Sequence, residues 1–266
     1  MNKPSESLQG LRVLLTRPAR QSADTARAIE AAGGQVIALP LLRIDPLEDA
    51  DSVQAIKSRI MELDRYAIAI FVSSNAARIG MDWIDRYWPQ LPRDLQACTV
   101  GPGTANVLEE FTWPVFFPAA GVTSEALLAM PQMQDVAGRK ILLFRGRGGR
   151  ELLAKSLRER GAEVDYVELY ERRVPDYSSS ELHEALVERG PEVLVVTSQQ
   201  SLEALDEMLH DSEEMSTIRQ RPLMVPSARV AEEARAAGYS CVYDAGGAGD
   251  EDILRCLFRI RREMAP

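Results

Sequence analysis

The chain has little of what most catalytic sites are built from. Only two histidines, His183 and His210, occur in 266 residues, and both fall in charged helical contexts. Neither has a second histidine or a cysteine at ligand spacing, so a solvated surface role is the simpler reading and metal catalysis is not supported. With no GxSxG elbow and the histidines away from the strand-end turns, a Ser/His or Cys/His nucleophile pair is likewise unsupported. Cys98, Cys241 and Cys256 form no CxxC and read as buried small residues in a reducing compartment. No apolar run approaches the roughly 18 residues that span a bilayer, and MNKPSESLQG lacks the apolar stretch of a signal peptide. A cytoplasmic protein with no membrane partner is expected. A formal charge of −9 argues against nucleic acid as a partner, since counterion release needs a dense basic surface.

What is present is a repeat. FVSSNAA at Phe71–Ala77 recurs as VVTSQQS at Val195–Ser201, and each is followed by a second turn and helix start, VGPGTA at Val100–Ala105 and VPSARVA at Val225–Ala231. Upstream, RVLLTRP with AGGQVIALPLLRI reads onto KILLFRG with RGAEVDYVELYERRV. Gly33 and Gly161, like Val36 and Val164, are 128 positions apart. One register shift fits both, which favours duplication of an α/β unit over chance similarity.

Apolar β-rich runs at 12–16, 35–39, 66–72, 97–100, 115–117, 140–144, 163–167, 192–197, 222–225 and 241–243 alternate with helix-period stretches, among them 22–32, 76–87, 152–160, 181–189, 202–209 and 230–237. Such alternation implies parallel strands with crossover helices on both faces. Pro40–Pro46 and Glu168–Pro175 break it at corresponding places in the two copies and read as crossings that could pair as a ribbon.

Polar groups then collect at the strand ends: Thr16, Arg17, Ser73, Ser74, Asn75, Thr104, Arg145, Thr197, Ser198 and Ser227, the turn glycines Gly101, Gly103 and Gly146, and Tyr170 in the second crossing. Most are donors, so a cleft built from them suits a polyanion, with chemistry left to positioning, backbone dipoles and a phenol acting as acid. For each hydroxyl taken alone, helix N-capping is the simpler role. RGRGGR at Arg145–Arg150 reads either as a solvated loop or as a nest of donors for carboxylate or phosphate. With no GxxxxGK[ST] anywhere and no complete GxGxxG fingerprint, nucleotide binding is weakly supported.

Taken in order, VLLTRPARQSADTARAIEAAGGQV, VSSNAA, VGPGTA, the RG..GRELL..L...GAEV block running into VELYERRVP, and VTSQQSLEAL followed by PSARVAEEARAAGY resemble the uroporphyrinogen III synthase family over nearly the whole chain. The resemblance implies an α/β fold of two Rossmann-like (HemD-like) parallel-sheet domains joined by a two-stranded β linker, the first domain discontinuous. Its boundaries would be 1–41 plus 174–266, then 46–168, with linker strands at 42–45 and 169–173. It implies a cofactor-independent lyase that cyclises linear hydroxymethylbilane to uroporphyrinogen III, through an azafulvene and a spiro-pyrrolenine, with inversion of ring D and loss of water. The family's tyrosine falls on Tyr170, as general acid; a packed interdomain aromatic is the alternative. Thr104, Ser74, Ser198 and Ser227 match its strand-end hydroxyls. Gln199–Gln200 and Pro226–Ser227 depart from common variants and leave the second domain's contacts open between side chains and backbone. A monomer is expected, with transient contact with the upstream bilane-forming enzyme. The competing readings are a two-lobed anion-binding module without chemistry and a sugar-nucleotide transferase.

Overall fold

The computed structural model describes residues 7–121, 123–149, 151–210 and 215–264. The chain divides into two compact units, 1–43 with 173–266, and 44–172.

In chain order the elements are β1 (Arg12–Leu15), α1 (Ala19–Ala31), β2 (Gln35–Ala38), β3 (Arg43–Pro46), α2 (Ala50–Met61), β4 (Ile68–Phe71), α3 (Ser74–Asp85), β5 (Gln96–Thr99), α4 (Pro102–Glu109) and β6 (Val115–Phe116). Next come α5 (Ser124–Leu128), β7 (Lys140–Gly146), α6 (Leu152–Glu159), β8 (Glu163–Arg173), α7 (Ser179–His183), β9 (Val193–Val195), α8 (Gln199–Leu209), α9 (Met215–Ile218), β10 (Leu223–Val225), α10 (Ala228–Ala236), β11 (Val242–Asp244) and α11 (Asp250–Met264). One expected helix differs. Over 181–189 the chain makes α7, whose start is set by the capping box of Ser178 and Glu181, and then a wider π turn at Glu184–Glu188.

The inserted unit carries a sheet in the order β3-β8-β7-β4-β5-β6. Its β8–β7–β4–β5–β6 pairings are parallel. Ala69, Phe71, Leu142 and Phe144 pack into a cluster with Ile56 and Ile60 of α2 and Met81 of α3. Their neighbours Ile68, Ile70, Ile141 and Leu143 pack into another with Leu127 of α5 and Leu153 and Leu157 of α6. Consecutive side chains leave a strand on opposite faces, so a strand apolar at every position is buried only between two helical layers.

The discontinuous unit has the sheet β11-β10-β9-β1-β2, again with parallel pairings. Leu14 and Leu194 pack with residues of α8 and α10, and Val13, Leu15, Val193 and Val195 with residues of α1 and α11.

The internal repeat holds at the level of hydrogen bonds. Val13 lies opposite Val36 and Ile141 opposite Val164; Gly10 N–H donates to Gly33 O and Gly138 N–H to Gly161 O. Every one of these positions is related by the 128-residue shift. Gly33 and Gly161 both take the left-handed backbone, at φ 89° and 84°, that an L side chain resists. Beyond that point the shift becomes 125, for Ile68 lies opposite Ile141 where Val193 lies opposite Val13.

Candidate active site

In each sheet the order of strands reverses once, between β1 and β9 and between β7 and β4. Loops leaving the carboxyl ends of such a pair diverge and open a crevice. At the reversal in the inserted unit lies a cavity of about 300 Å³ lined by Val72, Val100, Thr123, Arg145, Gly149, Tyr170 and Arg172 among others.

Tyr170 is brought there by an irregularity in β8. Arg145 pairs with Glu168, but the next residue, Gly146, pairs with Tyr170, so Leu169 is an extra residue in the strand. Such a bulge re-aims the side chains beyond it. Leu169 and Tyr170 consequently join the same core cluster although they are consecutive. The Tyr170 ring then lies against Gly146, where an added Cβ would come within 2.6 Å of Cε2, and it is wholly buried. Its hydroxyl is 3.0 Å from Ser73 Oγ. Ser73 caps α3, accepting the Ala76 N–H at 3.1 Å, and the first turn of that 12-residue helix presents unpaired backbone N–H groups.

Arg145 is present but already matched. Only 3% exposed, it donates to Glu151 at 2.8 Å and lies 4.9 Å over the Tyr166 ring. The Glu151 carboxyl is held below its usual range by the Tyr166 hydroxyl first and by Arg145 second. Within the expected donor nest at Arg145–Arg150, Arg145 lines the cavity and has its charge balanced within its own loop; Arg150 lies outside the described residues. Arg172, exposed, sits with its guanidinium 5.9 Å from the Tyr170 ring centre. Sequence reasoning assigns no role to Arg172, within VELYERR, nor to Thr123, which caps α5. Only the strand order, which a sequence does not display, brings them to this crevice.

Of the other expected residues, Ser74 donates to Gly103 O at 3.0 Å and ties the two turns together, with Asn75 half-buried beside it. Gly101 is the residue before α4, in extended backbone, and Gly103 has open space around it. Thr104 is 6% exposed inside α4.

At the reversal in the discontinuous unit, Arg17 Nη1 donates to Thr25 and Asp250, both at 2.6 Å. Thr16 is fully buried, with its hydroxyl donating to Val195 O at 2.7 Å, which fastens β1 to β9. Ser198 and Ser227 cap α8 and α10, and Thr197 precedes the first of these caps, half-buried. By the 128 shift Arg17 corresponds to Arg145 and Leu42 to Tyr170, and by the 125 shift Ser198 corresponds to Ser73. The phenol that meets a helix cap, Tyr170 at Ser73, belongs to the inserted unit.

Chemically the crevice offers one proton on a phenol, a helix N-terminus and a cation at its edge, a combination suited to assisting departure of an oxygen leaving group from an anionic substrate. Among the described residues no group of three or more His, Cys, Asp or Glu could hold a metal ion, and no helix is long and apolar enough to cross a membrane.

A family model described as uroporphyrinogen-III synthase HemD matches residues 23–254. The chain belongs to the uroporphyrinogen-III synthase family. It is 31% identical over 252 residues to the uroporphyrinogen-III synthase of Salmonella typhimurium strain LT2, covering 92% of this chain and 99% of that protein. Against the Escherichia coli K12 enzyme it is 29% identical over the same shares. Its fold matches a crystal structure of a mutant uroporphyrinogen III synthase from Thermus thermophilus at a TM-score of 0.63 and 18% identity, over 95% of this chain and 98% of that one. The Helicobacter pylori uroporphyrinogen-III synthetase matches at 0.60 and 14%, over 95% and 100%. Membership of the uroporphyrinogen-III synthase family makes the chain an enzyme of tetrapyrrole biosynthesis.

Proposed function

We propose that the chain closes linear hydroxymethylbilane to uroporphyrinogen III, inverting ring D and releasing water, with Tyr170 as the general acid. The observation that carries the assignment of the acid is the contact of Tyr170 Oη with the cap of α3, in a residue that lines the cavity at the strand reversal of a chain the family matches almost end to end. Tyr170 protonates the departing hydroxyl, the C–O bond breaks as water leaves, and the electron pair comes from the pyrrole to give the azafulvene. Ring D then attacks through its substituted carbon, the spiro intermediate reopens and recloses, and the proton lost as the last pyrrole regains aromaticity returns to the phenolate. Substrate carboxylates are met by Arg172 and by the backbone N–H groups of Ser74 and Asn75. The proposed organisation is a discontinuous domain (1–41 plus 174–266), a second domain (46–168) and linker strands (42–45 and 169–173), working as a cytoplasmic monomer that transiently meets the bilane-forming enzyme. The borders of the compact units at 43/44 and 172/173 support the division.

The test is isomer analysis of the product from hydroxymethylbilane. Purified protein yields the III isomer, and a chelator leaves the rate unchanged. Tyr170→Phe lowers turnover by about 10²–10⁴-fold, the usual share of a general acid, with little change in melting temperature. Folded wild-type protein giving only the spontaneously formed I isomer would establish an anion-binding module instead.

A further inference from the structure

We propose that Ser73 is the positioning residue of the acid, holding Tyr170 so that the phenol proton is free for the leaving group. The inference rests on the reading of Tyr170 as the acid. A serine oxygen has one proton and two lone pairs. One lone pair of Ser73 Oγ is occupied by the Ala76 N–H at 3.1 Å, and Tyr170 Oη lies 3.0 Å away. Two arrangements are open. In one the phenol donates to the serine, which points its proton away from the substrate. In the other the serine donates to the phenol oxygen, and the phenol proton is left free for another acceptor.

The second is the productive one, and Ser73 is built to favour it. Anchoring by the cap directs the serine's remaining groups at Tyr170, and a donated Ala76 N–H polarises the hydroxyl so that it gives its own proton more readily. When the phenol proton passes to the leaving oxygen, the same Ser73 O–H remains on the phenolate and supports the new negative charge, with the N-terminus of α3 behind it. The reverse holds during reprotonation. Tyr170 cannot find this contact by swinging elsewhere, since its ring is wholly buried and packed on Gly146. Ser198, at the matching place in the repeat, has a different partner: its hydroxyl lies 2.8 Å from Ser201 Oγ, and Leu42 stands where the phenol would be. The duplicated cap therefore keeps its structural task in both units and acquires a chemical one in the inserted unit alone.

The experiment uses full-length protein carrying ¹³Cζ-tyrosine, with the Tyr170 resonance assigned by its loss in Tyr170→Phe. Ser73→Ala removes cap and donor; Ser73→Asp keeps a cap acceptor but has no hydroxyl proton to give; Ser73→Thr keeps both. Ser73→Ala and Ser73→Asp should shift the Tyr170 Cζ resonance and lower kcat roughly ten- to a hundredfold, as expected for one hydrogen bond to a charged group, with KM within about twofold. Ser73→Thr should restore both readouts. The proposal is overturned by an unmoved resonance, by wild-type kcat in Ser73→Asp, or by a rise in KM at constant kcat, which would make Ser73 a substrate contact. Wild-type turnover in Tyr170→Phe removes the acid assignment itself, an outcome separate from the resonance, which reports the Ser73 contact whichever group is the acid.

Discussion

At Gly146 one methyl group decides whether Tyr170, the proposed acid, can sit where it does. A Cβ there would lie 2.6 Å from Tyr170 Cε2 and 2.8 Å from Cζ, closer than carbon atoms approach, so the ring must move. Gly146→Ala should lower kcat at least tenfold by lengthening the Ser73 contact, and a crystal structure of the variant should show the displaced phenol; unchanged kcat with a displaced ring would show that this geometry is not needed. Arg145 behaves differently. Its buried guanidinium packs on the Tyr166 ring and pairs with Glu151, so Arg145→Ala should cost stability through lost packing before it affects substrate affinity. The residue types at the crevice were legible in the sequence, because Ser73 stands in a recognisable strand-end turn and Tyr170 in the second crossing. Their meeting was not. They are 97 positions apart, and the extra residue at Leu169 that turns the ring toward Ser73 leaves no mark in the apolar pattern. Thr16 and Thr104 show why strand-end hydroxyls are hard to assign from sequence, since a threonine next to a turn can close its hydrogen bond inside the sheet or pack in the core as readily as it can face a ligand.

Among the elements, the repeated ones are the most legible. Gly33 and Gly161 end equivalent helices because their φ values require it, and Gly161→Ala should cost about 1–2 kcal/mol by chemical denaturation. Strand centres are legible too, since apolar β-branched runs buried on two faces have few alternatives; element ends are less so, with α1, α3 and α8 each starting earlier than periodicity suggests because their first turns are polar. The capping box at α7 supplies a pH test. Glu181 accepts from Ser178 Oγ and N–H, which lowers its carboxyl below the usual 4.5. A depressed carboxyl stabilises the fold above the ordinary value, and that contribution disappears as pH falls through the native one. Melting temperatures of wild type and Glu181→Gln should therefore differ near neutrality and converge below about pH 4; a constant gap across that range would remove Glu181's charge from the account.

For the whole molecule, the inserted unit begins on β3 and ends on β8, which are adjacent strands, and Leu47 N–H donates to Leu169 O at 3.0 Å. An insert whose two ends lie side by side closes on itself. A fragment of residues 44–172 should fold alone with a cooperative thermal transition, whereas a fragment of residues 1–130, which lacks β7 and β8, should not; circular dichroism and calorimetry decide it. The interrupted unit meets a different problem, one of time. On the ribosome β1 and β2 emerge first, yet β1 is central in a sheet whose next strand, β9, ends at Val195. At about 5–20 residues per second, the wait between the end of β2 and the end of β9 is on the order of ten to thirty seconds. During that interval Val13, Leu14 and Leu15, all wholly buried in the finished sheet, have no β9 to lie against while the inserted unit completes itself ahead of them. The nascent chain thus carries its earliest strands as its longest-exposed apolar surface, and a holding chaperone supplied during synthesis should raise the yield of the full chain far more than that of the inserted unit made alone.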